Sequence, residues 1–563
     1  MLSSLSCKTQ KLVQTPLFKP SHVHLDVKAR TKLVYERARA IAQVYDLTLE
    51  DVAGLTEKFW EVTADHISAV DTQAMILLSI QCNLAAGTLA PYAESRPELR
   101  PLLKQILDFN ISAQFLLTEL GHGLDARHLE TTATLLPSGE YDLHTPSLEA
   151  AKFMPPTGLV DGLDRVGIVV ARLIVCGEDR GLRAFIVPIS NNNAMCQGVT
   201  SRRLPGRPGT ETLDLAITSF NHVLLPHSAL LGSHDKPTDP KQNFLSCIHR
   251  AEVGSLSMSL VAIPALSVSA YIAAKYSLSR TIPSPSGTSS LWSLRTQQIP
   301  ILRAFAQVAV MKAFAREAIC LYKDYKLDHR VRAGIATCVK AFFVQQSQES
   351  LVELSEACGA QGLFFHDQIT SVQLAMRGMF IAEGDMLALC IRLASELLIG
   401  RYGLPAPRYP SFLLALHEAS ILKHCQKLLK EVGGDHRSEA FNRRILPLCR
   451  PLVEAISYRM AYEAALDSGV VHKPLLDLFE AAAVRRNGAW FAQHQQLNMC
   501  IQRQQDIEEA AVTAALPFVE RYMNETEAAA YAQAPGLTKE SLSAFVEGLE
   551  HFDGKACSNL ARL

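Results

Sequence analysis

Thr118-Glu119-Leu120-Gly121-His122-Gly123 leads into Leu129-Glu130-Thr131-Thr132-Ala133-Thr134, and the reading of this stretch decides the fold. Two glycines one residue apart leave the backbone without a Cβ, so a flat ligand or another segment can come close. The Thr-Thr-Ala-Thr run favours a strand. A tight turn between a helix and a strand accounts for the pattern as well as a ligand does.

Outward from this point the period of the apolar residues changes. Before it, from about 26 to 117, the chain reads helical. Lys28 to Tyr45 is rich in helix formers, and Leu47 to Ile67 sets Leu55, Phe59 and Val62 on one face. Ala74 to Leu89 and Pro101 to Leu117 read as two more helices. After it, from 118 to 235, short apolar runs follow one another without helical interludes. They are Gly167 to Val175, Arg183 to Ile189, Leu213 to Ile217 and Phe220 to Leu225, with a turn at Gly177 to Gly181. Such spacing predicts a small antiparallel barrel or sandwich. Lys236 to Gln242 reads as a linker. Residues 243–400 return to helical spacing, interrupted by a Pro/Ser/Gly loop at Thr281 to Ser290. Residues 401–440 read as a connection around one helix. Residues 441–563 form a second helical region, with Leu452, Val453, Ile456 and Met460 at core spacing. The expected fold is therefore mostly α with a central β-domain, preceded by an extension over 1–25.

The 563 residues exceed one core and call for three or four units. A hydrophobic share of 48% suits extensive burial, and a net charge of −1 argues against a polyanionic partner such as nucleic acid. Thirteen cysteines without a CxxC pair read as reduced thiols, so the sequon at Asn524-Glu525-Thr526 reads as chance. Val253 to Ala274 carries no charge and is long enough to span a bilayer. Its five serines between 255 and 269, its Pro264 and the absence of an aromatic belt favour a helix buried in a bundle. Neither His122 nor His128 has a partner at ligand spacing, so no metal site is expected.

The strings TELGHG and LETTATLLP resemble the flavin-contacting loop and first strand of the peroxisomal acyl-CoA oxidases, the oxygen-using branch of the acyl-CoA dehydrogenase superfamily. Gly488-Ala489-Trp490-Phe491 resembles part of the additional C-terminal helical domain of that branch. The resemblance implies an N-terminal helical domain, a β-domain forming one wall of the flavin site, a helical bundle and the extra C-terminal domain. It implies FAD, an acyl-CoA substrate, O2 as oxidant and a homodimer. The final Ala561-Arg562-Leu563 is a conservative variant of the SKL address, which implies the peroxisomal import receptor and a peroxisomal location.

Ala382-Glu383-Gly384-Asp385-Met386 precedes a run with Leu389, Cys390, Leu393 and Leu397 at core spacing. By itself a glutamate before a helix reads as a cap or a charge set near the helix dipole. In the family an EG pair after a CGG-like motif, here Ala357-Cys358-Gly359-Ala360-Gln361-Gly362, supplies the catalytic base. The resemblance thus makes Glu383 the base and places Gly384 against the substrate. It makes Thr118, Gly121, Gly123, Arg280 (in Tyr276-Ser277-Leu278-Ser279-Arg280), Arg295, Gly359 and Asp385 flavin contacts. A carboxylate suits the chemistry. Hydrogen bonds to a thioester carbonyl stabilise the enolate that forms when an α-proton leaves, and burial raises the base toward the acidity of the activated substrate.

Three positions depart from the family. Phe153-Met154-Pro155-Pro156 replaces two Trp, Pro and Gly, so a residue without an N–H stands at Pro156. Leu294-Arg295 replaces a Phe-Gln pair, and Ala382 replaces a Phe before the EG pair. These departures point to an unusual acyl chain, with lost flavin binding as the harsher alternative. A dehydrogenase serving an electron-carrier protein and a non-redox thioester-binding relative are the competing readings.

Overall fold

The computed structural model describes residues 7–19, 25–285, 287–494 and 497–554; the Ala561-Arg562-Leu563 address lies outside the described residues. The longer helices are α1 (Val27–Tyr45), α2 (Thr72–Ser95), α3 (Pro240–Cys247), α4 (His249–Ser279), α5 (Arg295–Lys323), α6 (His329–Ala357), α7 (Ile369–Met376), α8 (Met386–Leu398), α9 (Leu413–Glu431), α10 (Leu446–Ser468), α11 (Lys473–Arg486) and α12 (Ile501–Ala515).

The N-terminal helices differ from the expected ones where special backbone interrupts them. Leu47 to Ile67 is two short helices, Leu49–Gly54 and Glu57–Ala64, separated at Leu55, which adopts φ of 48°. Thr48 and Asp51 close a capping box on the first, which fixes its start. Pro101 to Leu117 is not one helix. The helix stops at Leu107, Phe109 takes φ of 55°, and Ser112–Leu116 becomes β1. Pairing with a long strand satisfies backbone groups that a lone helix turn would leave open, and the tertiary partner overrides the local pattern. Helix α2 contains a π-helical stretch, Ser79–Ala86, which turns Gln81 and Asn83 inward.

The β-region holds β1 (Ser112–Leu116), β2 (Thr132–Leu135), β3 (Tyr141–His144), β4 (Lys152–Pro156), β5 (Arg165–Val175), β6 (Glu178–Ser190), β7 (Val199–Arg203), β8 (Leu215–Phe220), β9 (Val223–Leu225) and β10 (Leu230–Leu231). The larger sheet runs β10-β6-β5-β2-β3-β9, with β1 also on β5, and the smaller sheet runs β4-β8-β7. Pairing is mostly antiparallel, but β1 and β2 both run parallel to β5. The tight turn lies at Cys176-Gly177, both at positive φ, between Val175 and Glu178; Gly181 sits inside β6. Phe185, Val187, Ile189, Leu173, Tyr141 and Phe220 form the core between the two sheets.

The uncharged stretch from Val253 lies in α4, whose apolar window is 94% buried inside the protein. It packs with α5 and α6, on which α10 packs in turn, in a core continuous with the N-terminal helices. The C-terminal helices are locked to the bundle by polar ties as well as apolar area. Arg459 on α10 is buried against Glu418 on α9, at 2.6 Å, and Glu463, at 3.1 Å. Such a pair is retained because losing one partner strands the other charge.

Candidate active site

The loop at 118–123 is folded around its own glutamate. Glu119 is fully buried, lies 3.0 Å from the buried Lys152 ammonium, and accepts the backbone N–H groups of Glu130 (2.8 Å) and Thr131 (3.0 Å). Lys152 also donates to the carbonyls of Leu117 and Val170. Burial works to raise Glu119, but Lys152 and the two N–H groups outweigh it and hold the carboxyl below its usual range. Burial pushes Lys152 down to about 8. The loop's own N–H groups are spent within the chain: Leu120 donates to Ala151 and Gly121 to Glu149. A Cβ on Gly121 would stand 2.9 Å from Cβ of Glu149, so packing already requires that glycine. Nothing lies within 4 Å of the same point at Gly123.

The second group forms around Glu383. Ala382 to Gly384 is a turn in which Glu383 (φ 57°) and Gly384 (φ 97°) both take left-handed backbone, which is strained for a glutamate. Three contacts hold it. Lys340 on α6, buried among Ala336 to Val344, donates to the carbonyl of Ala382 at 2.6 Å and to that of Gly384. Ser255 on α4 donates to the carbonyl of Glu383. Asp385 caps α8 by accepting from the Ala388 N–H at 2.9 Å, which is the local role of that residue.

Residue 383 is half-buried as a whole, and its carboxyl group is the buried end. A Cβ built on Gly254 would stand 2.4 Å from the carboxyl carbon and 2.8 Å from the Asn83 amide. Burial raises Glu383 to about 8; Lys340 and Arg250 partly oppose the rise. Burial likewise lowers Lys340 to about 8, against the pull of Glu383 and Asp385. The carboxyl lines a cavity of about 570 Å³ between α2, α3, α4, α6 and α8.

The expected site residues fall into four places. Glu383 and Gly384 line the cavity. Arg280 and Gly359 meet at Tyr276: the guanidinium lies over the ring at 5.1 Å, and the ring hydroxyl is 3.8 Å from the Cβ point of Gly359. The Arg280 Nε is buried without a partner, and Gly359 takes φ of 60° after the end of α6. Arg295 is committed elsewhere. It binds Glu509 (2.6 Å) and Thr513 (3.0 Å) on α12, which draws it toward the C-terminal helices. None of the residues lining the Glu383 cavity comes from the sheet region, so the structure does not bring Thr118, Gly121 or Gly123 to it. Pro156 ends β4 beyond an irregularity in the pairing that includes Met154 at φ 58°. Among the described residues no cluster of His, Cys, Asp and Glu could hold a metal ion.

Lys340, Asn83, Arg250, Gly254 and Ser255 escaped the sequence reading. A lone lysine in an apolar run is a visible sign of a buried anchor. The other four become meaningful only once α2 and α4 lie side by side.

No family model matches the chain. The peroxisomal acyl-coenzyme A oxidase 2 of Rattus norvegicus is 26% identical over 319 residues, covering 52% of this chain and 45% of that protein. The chain spans about half the length of the curated relatives it matches. The crystal structure of acyl-CoA oxidase 1 from Yarrowia lipolytica superposes with a TM-score of 0.79 at 18% identity, covering 98% of this chain and 93% of that one. Acyl-CoA oxidase 2 of Caenorhabditis elegans, solved with FAD, ascaroside-CoA and ATP, gives 0.70 at 18% identity, covering 93% and 92%.

Proposed function

We propose that this chain, a divergent relative of the acyl-CoA oxidases that has their fold, oxidises an acyl-CoA thioester to the trans-2-enoyl thioester. Two hydrogens leave the α and β carbons, and O2 takes them up as hydrogen peroxide. The observation that carries the reading is Glu383, a carboxyl buried beside a cavity and raised to about 8. A base so placed removes an α-proton at a cost that an exposed carboxylate could not match. Lys340 and Ser255 fix the turn by its carbonyls, which keeps the carboxyl aimed while leaving it free of a direct ion pair. Gly384 is assigned to the thioester.

The residues fit FAD at its phosphate end. Arg280 presents a buried N–H without an acceptor over the Tyr276 ring, whose hydroxyl faces Gly359, and a phosphate oxygen is the group that satisfies it. Thr118, Gly123, Arg280 and Gly359 would hold the cofactor. Bound FAD would supply the two-electron acceptor that the protein's own side chains lack. A homodimer and a peroxisomal location belong to the same proposal.

A second reading has its own support. Arg295 is engaged by Glu509, and Gly121 is closed by Glu149, which suits a relative that binds acyl thioesters without redox chemistry. The absorption spectrum separates the two. A yellow protein that bleaches with an acyl-CoA without air, and in air forms one peroxide per enoyl product, supports the oxidase. A colourless protein that takes up no FAD supports the second reading. Bleaching without oxygen uptake points to a dehydrogenase with a carrier protein. Arg280→Ala is expected to purify with a smaller flavin fraction at unchanged melting temperature.

A further inference from the structure

We propose that the Glu383 cavity selects acyl thioesters whose chain carries a carboxylate, and that Arg250 is the residue that reads it. The inference rests on the assignment of Glu383 as the base.

Arg250 is 4% exposed and lines the cavity. Its Nε donates to the carbonyl of Asn83 (3.0 Å) and its Nη1 to that of Val52 (3.2 Å); its Nη2 has no partner. Among the described residues no carboxylate lies within 4.0 Å of it. The protein's other deeply buried arginines are treated differently. Arg37 has Asp71, Arg165 has Asp214, and Arg459 has Glu418 and Glu463. Arg183, without a carboxylate, spends its N–H groups on Asn243 and three carbonyls. Glu383 acts on Arg250 only from across the cavity, beyond contact; a buried guanidinium with one open N–H and no carboxylate in contact is costly, and an anionic ligand removes that cost.

The fold makes room for it. A Cβ on Gly87 would overlap the guanidinium, 2.1 Å from Nε and 2.6 Å from Nη2, and Gly87 itself lines the cavity. The ring of Phe59 supports the group at 5.4 Å. The walls beyond mix apolar side chains with charged ones. His249, Glu252, Arg332 and Arg392 stand in them among Leu55, Ile248, Val253, Leu389 and Leu393, so the cavity offers an apolar bed for a chain and cations for a charged end. Glu252 is already engaged by the Tyr322 hydroxyl at 3.1 Å, and Arg332 holds a second buried Nε without a partner. Arg250 and Arg332 thus each keep an N–H that only an incoming acceptor can satisfy.

Position along α4 limits the reach. Arg250 and Gly254 are one turn apart, a rise of roughly 6 Å, and the Glu383 carboxyl packs against the bare Cα of Gly254. The anionic group thus sits a few carbons from the reacting pair.

Calorimetric titration of the full chain tests this with matched pairs of CoA thioesters of four to ten carbons, one ending in a methyl group and one in a carboxylate. Titrations are run without oxygen. The carboxylate ligand is expected to bind more tightly at one chain length, by roughly 10- to 100-fold. Arg250→Met is expected to erase the preference while leaving the methyl-ended ligand unchanged, and Arg250→Lys to keep part of it. Equal affinities across the panel overturn the inference, as does an equal loss for both ligands in Arg250→Met. If the methyl-ended ligand alone binds, this inference falls and the function stands. If neither binds, both fall. Should Arg250→Met not fold, the Arg250→Lys pair of affinities decides by the same criterion.

Discussion

Replacing Glu383 with glutamine tests the central group through stability as well as turnover. The substitution keeps the shape and removes the charge. In the unfolded chain the acid ionises at its ordinary 4.5; in the fold it ionises near 8 because burial penalises the carboxylate. At about 1.36 kcal/mol per tenfold change, the span sets an upper limit of ~5 kcal/mol. Water entering the cavity and movement of the turn bring the range to about 2–5 kcal/mol. The sign follows from proton binding. Between 4.5 and 8 the folded state holds the proton that the unfolded state has released, so the wild-type protein loses stability as pH rises through that window and keeps it below. Glutamine does not titrate. The two proteins are therefore expected to melt together at pH 4.5 and to diverge by pH 9, with Glu383→Gln the more stable. For 563 residues the melting entropy is roughly 1.2 kcal/mol per degree, which converts the range to about 2–4 °C. Differential scanning calorimetry at the two pH values is the assay, with oxidase turnover alongside, expected to fall by roughly 10²–10⁴-fold. A shift of equal size at both pH values, a larger one in acid, or full residual turnover would refute the assignment.

Two further substitutions probe the supports. Gly254→Ala places a methyl group 2.4 Å from the Glu383 carboxyl carbon; helix propensity favours alanine, so the melting temperature should hold while turnover drops by roughly 10²-fold from misplacement of the base, and unchanged kcat would show that the carboxyl does not act from this position. Lys152→Met leaves Glu119 buried without its counter-charge and is expected to cost about 3–5 kcal/mol, seen as a lower melting temperature that adding Glu119→Gln largely restores; a single variant as stable as wild type would contradict the buried pair.

Much of the architecture is written in local pattern. Thr132–Leu135 forms a strand because β-branched residues alternate there, and α4 is recognisably a core helix because its apolar stretch carries serines and no basic flank. The misread elements are those in which a distant partner settles the matter. Ser112–Leu116 has helical neighbours in sequence, yet β5 provides its hydrogen bonds. Leu55 breaks a helix that its side-chain spacing would continue, because a left-handed residue turns the chain there. At the site, the helix start after Glu383 is legible; the left-handed backbone of Glu383 and Gly384 is not, and the cap is Asp385, which the family resemblance assigns to the flavin, rather than Glu383. Arg295 was not legible as an ion-pair partner, because Glu509 lies 214 residues further along the chain.

The sequence by itself determined where strands give way to helices, that α4 is interior, and that Glu383 stands just before a helix. Each of these is a property of neighbours along the chain, whose spacing and side-chain type act over a few residues. Only the tertiary structure decided what that glutamate is. Its neighbours Asn83, Gly254 and Lys340 come from three helices, and the cost of ionising a carboxyl depends on how much water those helices together exclude. Burial is collective, and no short stretch of sequence holds it.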